Sequence, residues 1–512
     1  MLATNEEFSH RSGVRPRTAF LVILALSFLA LSCWSFASPL VAGPDEQSHI
    51  IRADALAHGQ LGHPATPGEQ LLVTVTVPQA IYFSKLYPGC WQFLGNNPAT
   101  CAPSWTTSQA PIATTVYVGH YPPLYYAIVG TGTYFSQQKA GIYAMRLVSS
   151  LLSALMLALG AYAIVRWSRR KMIVAGVFMA LTPMSLFLSS VVNPSGFEIV
   201  SAICLWTALA IFVMDYPIDP PRGLVTVIAV SASVFALIRG LSPLWVGLAG
   251  IVAIMAVGWR EIWALLRRRH DVRVAVRVIG AAFVVALTWI TTQGTLHILP
   301  VGVPVPKGSS ELHIIRMTLG ALKRWRRESI GVLGWLDTGL PNFLYSVWYL
   351  MIVGAFIGGL WRSSWRQRLA LILASGLALF MPVVIVAREA RVNGIVWQGR
   401  DSLPITVGAI ILAVALCANL IRSARLERWG VSCIVVVVAL LNLIAFYANL
   451  RRYAVGRMGG RLFFLHNVGW SPPTGQFATL FVYGVLTAVI TALVLRWVWV
   501  GSVATPTTSQ GD

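Results

Sequence analysis

The run AFLVILALSFLALSCWSFASPLV at 19–41, followed at 42–56 by AGPDEQSHIIRADAL, decides the fold class. About 20 consecutive apolar residues suffice to cross the hydrocarbon of a bilayer. The run is longer than the apolar core of a secretory signal, and eleven similar runs follow it, so it reads as a retained anchor. At Gly43-Pro44-Asp45 the chain turns polar and leaves the membrane.

The composition agrees. Hydrophobic residues make up 56% of the 512, charged residues 11%, and the mean hydropathy is +0.69. Soluble domains carry about 25% charged residues, so this chain cannot cover a water-facing surface. A soluble multidomain enzyme, a fibrous protein and a disordered protein are excluded. Further spans are expected near 141–165, 172–191, 197–214, 223–238, 241–258, 274–293, 343–361, 369–387, 402–421, 430–448 and 476–500, twelve in all. The expectation is an all-α integral membrane protein: one polytopic domain over 19–500 between tails at 1–18 and 501–512.

Short connections sort the two ends. Arg166, Arg169, Arg170 and Lys171 share a side with Arg260, Arg267–Arg269 and Arg273, with Arg362, Arg366 and Arg368, and with Arg422, Arg425 and Arg428. The positive-inside rule puts that side in the cytoplasm of a cell whose inner (plasma) membrane the protein spans. The long segments 42–140, 294–342, 388–401 and 449–475 then lie outside, the first two as large outer loops. These outer segments hold further arginines that topogenesis does not require. They read either as contacts to lipid headgroups or as a basic cavity for a phosphorylated lipid.

The net charge of +21, from 39 Lys+Arg against 18 Asp+Glu, points the same way. In a membrane protein such a balance favours anionic lipid and phosphate over nucleic acid. Cys90 and Cys101 bracket the polar stretch CWQFLGNNPATC and are expected to pair if the loop faces an oxidising compartment.

Four outer constellations can carry chemistry. In PDEQSHIIR, Asp45, His49 and Arg52 fall at i, i+4 and i+7, one helical stripe beside the membrane. Pro44 and the acids after it also suit an ordinary helix start. A carboxylate near His and Arg stays ionised and can accept a proton from an alcohol. GHYPPLYYAIVG at 119–130 offers His120 and Tyr121 as a proton donor or phosphate contact, or simply as part of an aromatic belt. In VVNPSGFEIV at 191–200, Asn193 and Ser195 are caps, while Glu198 lies inside an apolar run, where ionisable groups mark function, with Arg239 as its candidate partner. IVWQGRDSLPI at 395–405 sets Gln398, Arg400 and Asp401 near Arg391 at a span mouth, as a phosphate or sugar site or as snorkelling side chains. Besides these, Trp335 and Asp337 in LGWLD are placed on one wall of a sugar pocket. No Walker A, dinucleotide-binding glycine pattern, paired CxxC or HExxH occurs, so nucleotide hydrolysis, nicotinamide chemistry and zinc proteolysis have no support.

In this order, PDEQSH, HYPPLYY, NPSGFE, LGWLD and QGRDSLP resemble the DUF2142 family of bacterial membrane proteins, over about residues 20–450. That family is similar to the GT-C superfamily of integral membrane glycosyltransferases. The chain departs from the family pattern at Asp401, where that pattern has an aromatic residue. The resemblance implies a polyprenyl-phosphate sugar as donor, a glycan or glycolipid acceptor at the outer face, and an essential acid in the first outer loop, here Asp45. On that reading Glu46 and His49 orient the base, and Arg400 with Arg391 or Arg239 stabilises the departing phosphate. Arg52, His120, Tyr121, Asn193, Glu198, Trp335, Asp337 and Gln398 complete the substrate site. No cofactor is required, although the Asp45-Glu46 pair leaves a divalent cation possible. A lipid-linked sugar flippase would need polarity at mid-membrane and an inverted repeat, neither of which is evident. A non-catalytic envelope scaffold is the third reading, under which Asp45 is dispensable.

Overall fold

The computed structural model describes residues 15–65, 72–296 and 302–500, so most of both expected tails lies outside the described residues. The first helix, α1 (Pro16–Phe36), leads through a buried loop to α2 (Glu46–Ala57). A three-stranded antiparallel sheet follows, in the order β1 (His63–Pro64), β2 (Val73–Pro78) and β3 (Pro111–Val116), with α3 (Gln79–Tyr82) between β2 and β3 and α4 (Leu124–Val129) after β3. Cys90 and Cys101 are disulfide-bonded within this segment.

The helical body continues with α5 (Lys139–Trp167), α6 (Met172–Ala180), α7 (Pro183–Ser189), α8 (Pro194–Asp215), α9 (Arg222–Ala236) and α10 (Ser242–Val257). It goes on with α11 (Trp259–Arg268), α12 (His270–Gln293), α13 (Glu311–Gly331) and α14 (Asn342–Trp361). The last helices are α15 (Trp365–Asn393), α16 (Gly399–Cys417), α17 (Ala424–Val455) and α18 (Gln476–Val500). Apolar all round, α8 and α16 pack against each other at the centre, whereas α18 shows most of its surface to lipid.

Among the described residues nine helices are long and apolar enough to cross a bilayer, and two bent pairs raise the number to at most eleven. This corrects the expected twelve. The run at 172–191 is broken into α6 and α7, bent by 67°, because Pro183 has no N–H to continue the ladder and Thr182 caps a new helix at the Ser185 N–H. After α10 the chain turns by 102° at Gly258, whose φ of 120° favours glycine, and α11 runs across the end of α10. The run at 223–238 yields only the 15 residues of α9, about 22 Å of helix against about 30 Å of hydrocarbon.

The expected span 19–41 is also shorter. Its helix stops at Phe36, and residues 37–44 form a fully buried loop. Arg146, from the first third of α5, accounts for this. Its Nη1 donates to the carbonyls of Ser35 and Ser38 and its Nη2 to that of Pro39, at 2.8–3.0 Å. Nε and Nη2 also grip both oxygens of Glu46 at 2.7 Å. The Glu46 carboxylate in turn accepts the N–H groups of Gly43 and Val192. Asn193 Nδ2 holds the Pro44 carbonyl at 2.9 Å, and Trp335 Nε1 holds that of Val41 at 3.0 Å. The loop is thereby clamped from three separate elements.

Glu46 and Arg146 are wholly buried, so removing either strands an unpaired charge. Glu46→Ala and Arg146→Ala are each expected to destabilise the fold by about 3–5 kcal/mol, the usual cost of breaking a buried pair. Thermal inactivation of the purified protein in detergent checks this, and an unchanged midpoint in both variants would refute it.

Candidate active site

The clamped loop delivers Asp45 in an unusual state. It is the N-cap of α2, yet its backbone is left-handed (φ 64°) and its side chain makes no capping bond. Among the described residues the other non-glycine residues with positive φ are Val41, Phe93 and Leu336. Such backbones cost on the order of 1–3 kcal/mol each and persist only where their surroundings enforce them. A carboxylate that forgoes its cap is available for other work.

That work involves α16. Its N-terminus is fixed by Glu328, which accepts the Gly399 N–H at 2.8 Å, and by a capping box between Gln398 and Asp401. Arg400, in the first turn, reaches Asp45 Oδ2 with Nη2. Its Nε and Nη1 are buried and find no hydrogen-bond partner among the described residues. Arg239, just beyond α9, lies between two carboxylates, 3.1 Å from Glu198 and 3.2 Å from Asp401. Ser242 donates to Glu198 at 2.6 Å. The Arg239 guanidinium also lies 5.9 Å from the centre of the Tyr121 ring.

His49 closes the cluster from α2, stacked on Tyr126 with Nδ1 2.8 Å from its hydroxyl. Burial drives its pKa down to about 3, and although Asp45 pulls it up, Arg400 and Arg239 push it further down, so the ring is neutral. Burial pushes the Asp45 carboxyl up, but Arg400, the neighbouring Tyr117 hydroxyl and His49 outweigh it and hold the carboxyl below its usual range. The arrangement is an ionised carboxylate facing an arginine with two buried donors to spare, walled by Tyr117, Tyr121, Tyr126 and His49. A buried donor without a partner costs free energy until an acceptor arrives, so Arg400 is built to meet an anion.

Of the residues expected from sequence, Asp45, His49, Tyr121, Glu198, Arg239, Gln398 and Arg400 come together here. The remaining candidates have other partners. Glu46 faces Arg146 and loop backbone, away from Asp45. Among the described residues no group of three or more His, Cys, Asp or Glu side chains converges as metal ligands. Arg52 turns away to the Leu61 carbonyl at 2.7 Å. The His120 carbonyl accepts from Trp289 of α12 and from Thr295 just beyond it, which ties the 117–121 turn to this end of the helix. Asn193 caps α8 and Trp335 pins the Asp45 loop, as loop architecture requires. Asp337 binds Arg452 at 2.8 Å, and Arg452 collects the carbonyls of Trp91, Leu94 and Asn97, so the pair holds the disulfide loop. Arg391 is exposed and paired with Glu311 at 2.7 Å.

Sequence reading missed Tyr117, Tyr126 and Ser242; it paired Arg239 with Glu198, as the structure has it, but did not see Asp401 as the second acid on that arginine. Saturated by two acids, Arg239 braces the site.

The fold and its buried charge cluster define an all-helical integral membrane protein with a polar site at one end of the bundle. Residues 28–409 match the family described as "Predicted membrane protein (DUF2142)", and the chain belongs to that family. Comparison with curated proteins finds no match. Solved structures similar to this chain include ArnT from Cupriavidus metallidurans bound to undecaprenyl phosphate, at 15% identity and a TM-score of 0.41. The apo state of that ArnT is similar at 14% identity and the same TM-score; each comparison covers 93% of this chain and 76% of that one.

The neutral His49 has a consequence for stability. Unfolding restores its ordinary affinity for protons, so between the folded value of about 3 and the unfolded 6.5 the unfolded chain binds more protons. Stability contributed by the neutral ring is therefore complete above pH 6.5 and declines as the pH falls below it. His49→Gln is expected to flatten the decline of the thermal midpoint between pH 6.5 and 4. Equal slopes for both proteins would show that His49 titrates freely in the fold.

Proposed function

We propose that the chain is a GT-C-type glycosyltransferase that moves a sugar from a polyprenyl phosphate to a hydroxyl of an envelope glycan or glycolipid. The reaction takes place on the extracytoplasmic side, where the positive-inside rule puts the Asp45 end of the bundle. One observation carries the reading: among the described residues a strained, uncapped Asp45 is the hydrogen-bond partner of the Arg400 guanidinium, and that arginine keeps two buried donors in reserve. Motif order within the DUF2142 family agrees with it.

In this reading the donor phosphate takes the reserved Nε and Nη1 of Arg400, while Nη2 keeps Asp45 in place. The acceptor oxygen forms its bond to the anomeric carbon as the bond from that carbon to the phosphate oxygen breaks. The electron pair leaves with the lipid phosphate, and the acceptor proton passes to Asp45 Oδ. Charge grows on the phosphate as the bond breaks, and fixed arginine donors lower the barrier most where charge develops. Arg239 holds Asp401 and Glu198 so that neither carboxylate competes for Arg400. Neutral His49 and the tyrosines position the acceptor without adding charge.

Asp45→Asn keeps size and hydrogen bonding but cannot take the proton. Turnover of a panel of radiolabelled polyprenyl-phosphate sugars is expected to fall by roughly 10²–10⁴-fold, the usual worth of a general base, with donor binding retained. Arg400→Lys is expected to weaken donor binding because an ammonium lacks the guanidinium's spread of donors. Normal turnover by Asp45→Asn would sink the assignment, as would unchanged donor affinity in Arg400→Lys and Arg400→Ala together.

A further inference from the structure

A cavity of about 580 Å³ lies between α1, α5, α6, α8, α17 and α18, and no residue of the Asp45 cluster lines it. Its lining follows α1 from Thr18 to Trp34, a rise of about 24 Å, and α18 from Val500 back to Tyr483. Toward the Asp45 end Trp34 and Tyr483 close it, packed edge to face at 6.0 Å. Halfway along, Asn442 gives its amide N–H to the Leu181 carbonyl at 3.1 Å, while its Oδ1 is buried with no hydrogen-bond partner among the described residues. The remaining walls are mostly apolar, with scattered hydroxyls at Thr18, Ser27, Thr207, Thr487 and Thr491.

This cavity is not sealed. Val22 on α1 and Leu493 on α18 both line it, and they are 37% and 39% exposed, so the cavity is reached from the outer surface of the bundle at these helices. The other opening is basic. Arg496 lines it directly, and so does Trp497, whose ring centre lies 3.2 Å from Lys171 Nζ. Next to these, the Arg428 guanidinium sits 5.9 Å from the centre of the Trp499 ring. Tryptophan and cations together mark a headgroup level, the ring at the interface and the charge in reach of phosphate.

From these observations we infer a phospholipid site. It takes one acyl chain of an anionic phospholipid from the leaflet at the basic end, with the phosphate held at Arg496. An apolar cavity open to lipid fills with chain, because dispersion contacts along its walls are otherwise lost. Its length of about 24 Å exceeds the roughly 15 Å that one leaflet contributes to the hydrocarbon, so a whole acyl chain fits. The mouth selects the headgroup: Arg496, Lys171 and Arg428 outnumber the one carboxylate beside them, Glu427, and so favour a net negative lipid over a zwitterionic one. This site stands independently of the transferase reading, since it uses none of the same residues and opens at the other end of the bundle.

Native mass spectrometry of the full chain, delipidated in detergent and then supplied with dioleoyl phosphatidylglycerol or dioleoyl phosphatidylcholine, tests the inference. The wild type is expected to keep one phosphatidylglycerol under activation that strips phosphatidylcholine. Arg496→Gln should cut that retention about fivefold, the worth of one interfacial cation. Gly160 lines the cavity, and a Cβ placed there meets only Cys204 at 3.7 Å, so Gly160→Leu should fill the space and abolish retention of either lipid. Equal retention of both lipids by the wild type, or full retention by Arg496→Gln, overturns the site. Failure of the wild type to take up either lipid overturns it as well.

Discussion

The Glu46–Arg146 pair is the interaction on which the functional end depends. An arginine deep in an apolar helix is tolerable only when every donor finds an acceptor, and here a carboxylate and three carbonyls supply them. Satisfying Arg146 ends α1 early, folds residues 37–44 into the bundle and leaves Asp45 with nowhere to go but the left-handed region. The strain at Asp45 is thus supported by a bond made one residue later in sequence. Neighbouring acids thus have different surroundings: Glu46 is closed into a buried ion pair, while Asp45 stays at the edge of the polar cluster facing Arg400.

Helix ends do the rest of the positioning. Asp45 precedes α2, Asn193 precedes α8, Ser242 opens α10 and Arg400 lies in the first turn of α16. These N-termini converge, and each leaves backbone N–H groups that capping side chains or neighbouring carboxylates must satisfy. Glu46 and Glu328 meet that need from outside their own helices, at Val192 and Gly399. Polar groups therefore crowd this end for structural reasons, and the site occupies what the caps leave over.

Much of this was legible in the sequence, and the failures have physical causes. Every expected span has a helix within it, because a run of apolar residues fixes membrane residence whatever its neighbours do. Breaks inside spans were harder to see: Pro183 breaks its span, whereas Pro382 and Pro404 sit inside unbroken helices. At the site, Asp45 and Arg400 could be read as candidates because charge beside a membrane is rare. Their pairing could not, since 355 residues separate them. Spacing misled at Arg52, because an i, i+7 stripe assumes that Asp45 belongs to the helix, and its left-handed backbone sets it outside. Glu46, Asp337 and Trp335 looked functional for the same reason that they are buried: polar groups in an apolar protein are few, and architecture claims them as readily as chemistry does.

The position of Arg146 along the chain also bears on how the protein is made. Glu46 precedes it by 100 residues, so at roughly 5–20 residues per second the acid leaves the ribosome some ~5–20 s earlier. Glu46 has therefore already been made when α5 emerges, and the ion pair closes as α5 packs against α1, the helix it touches most.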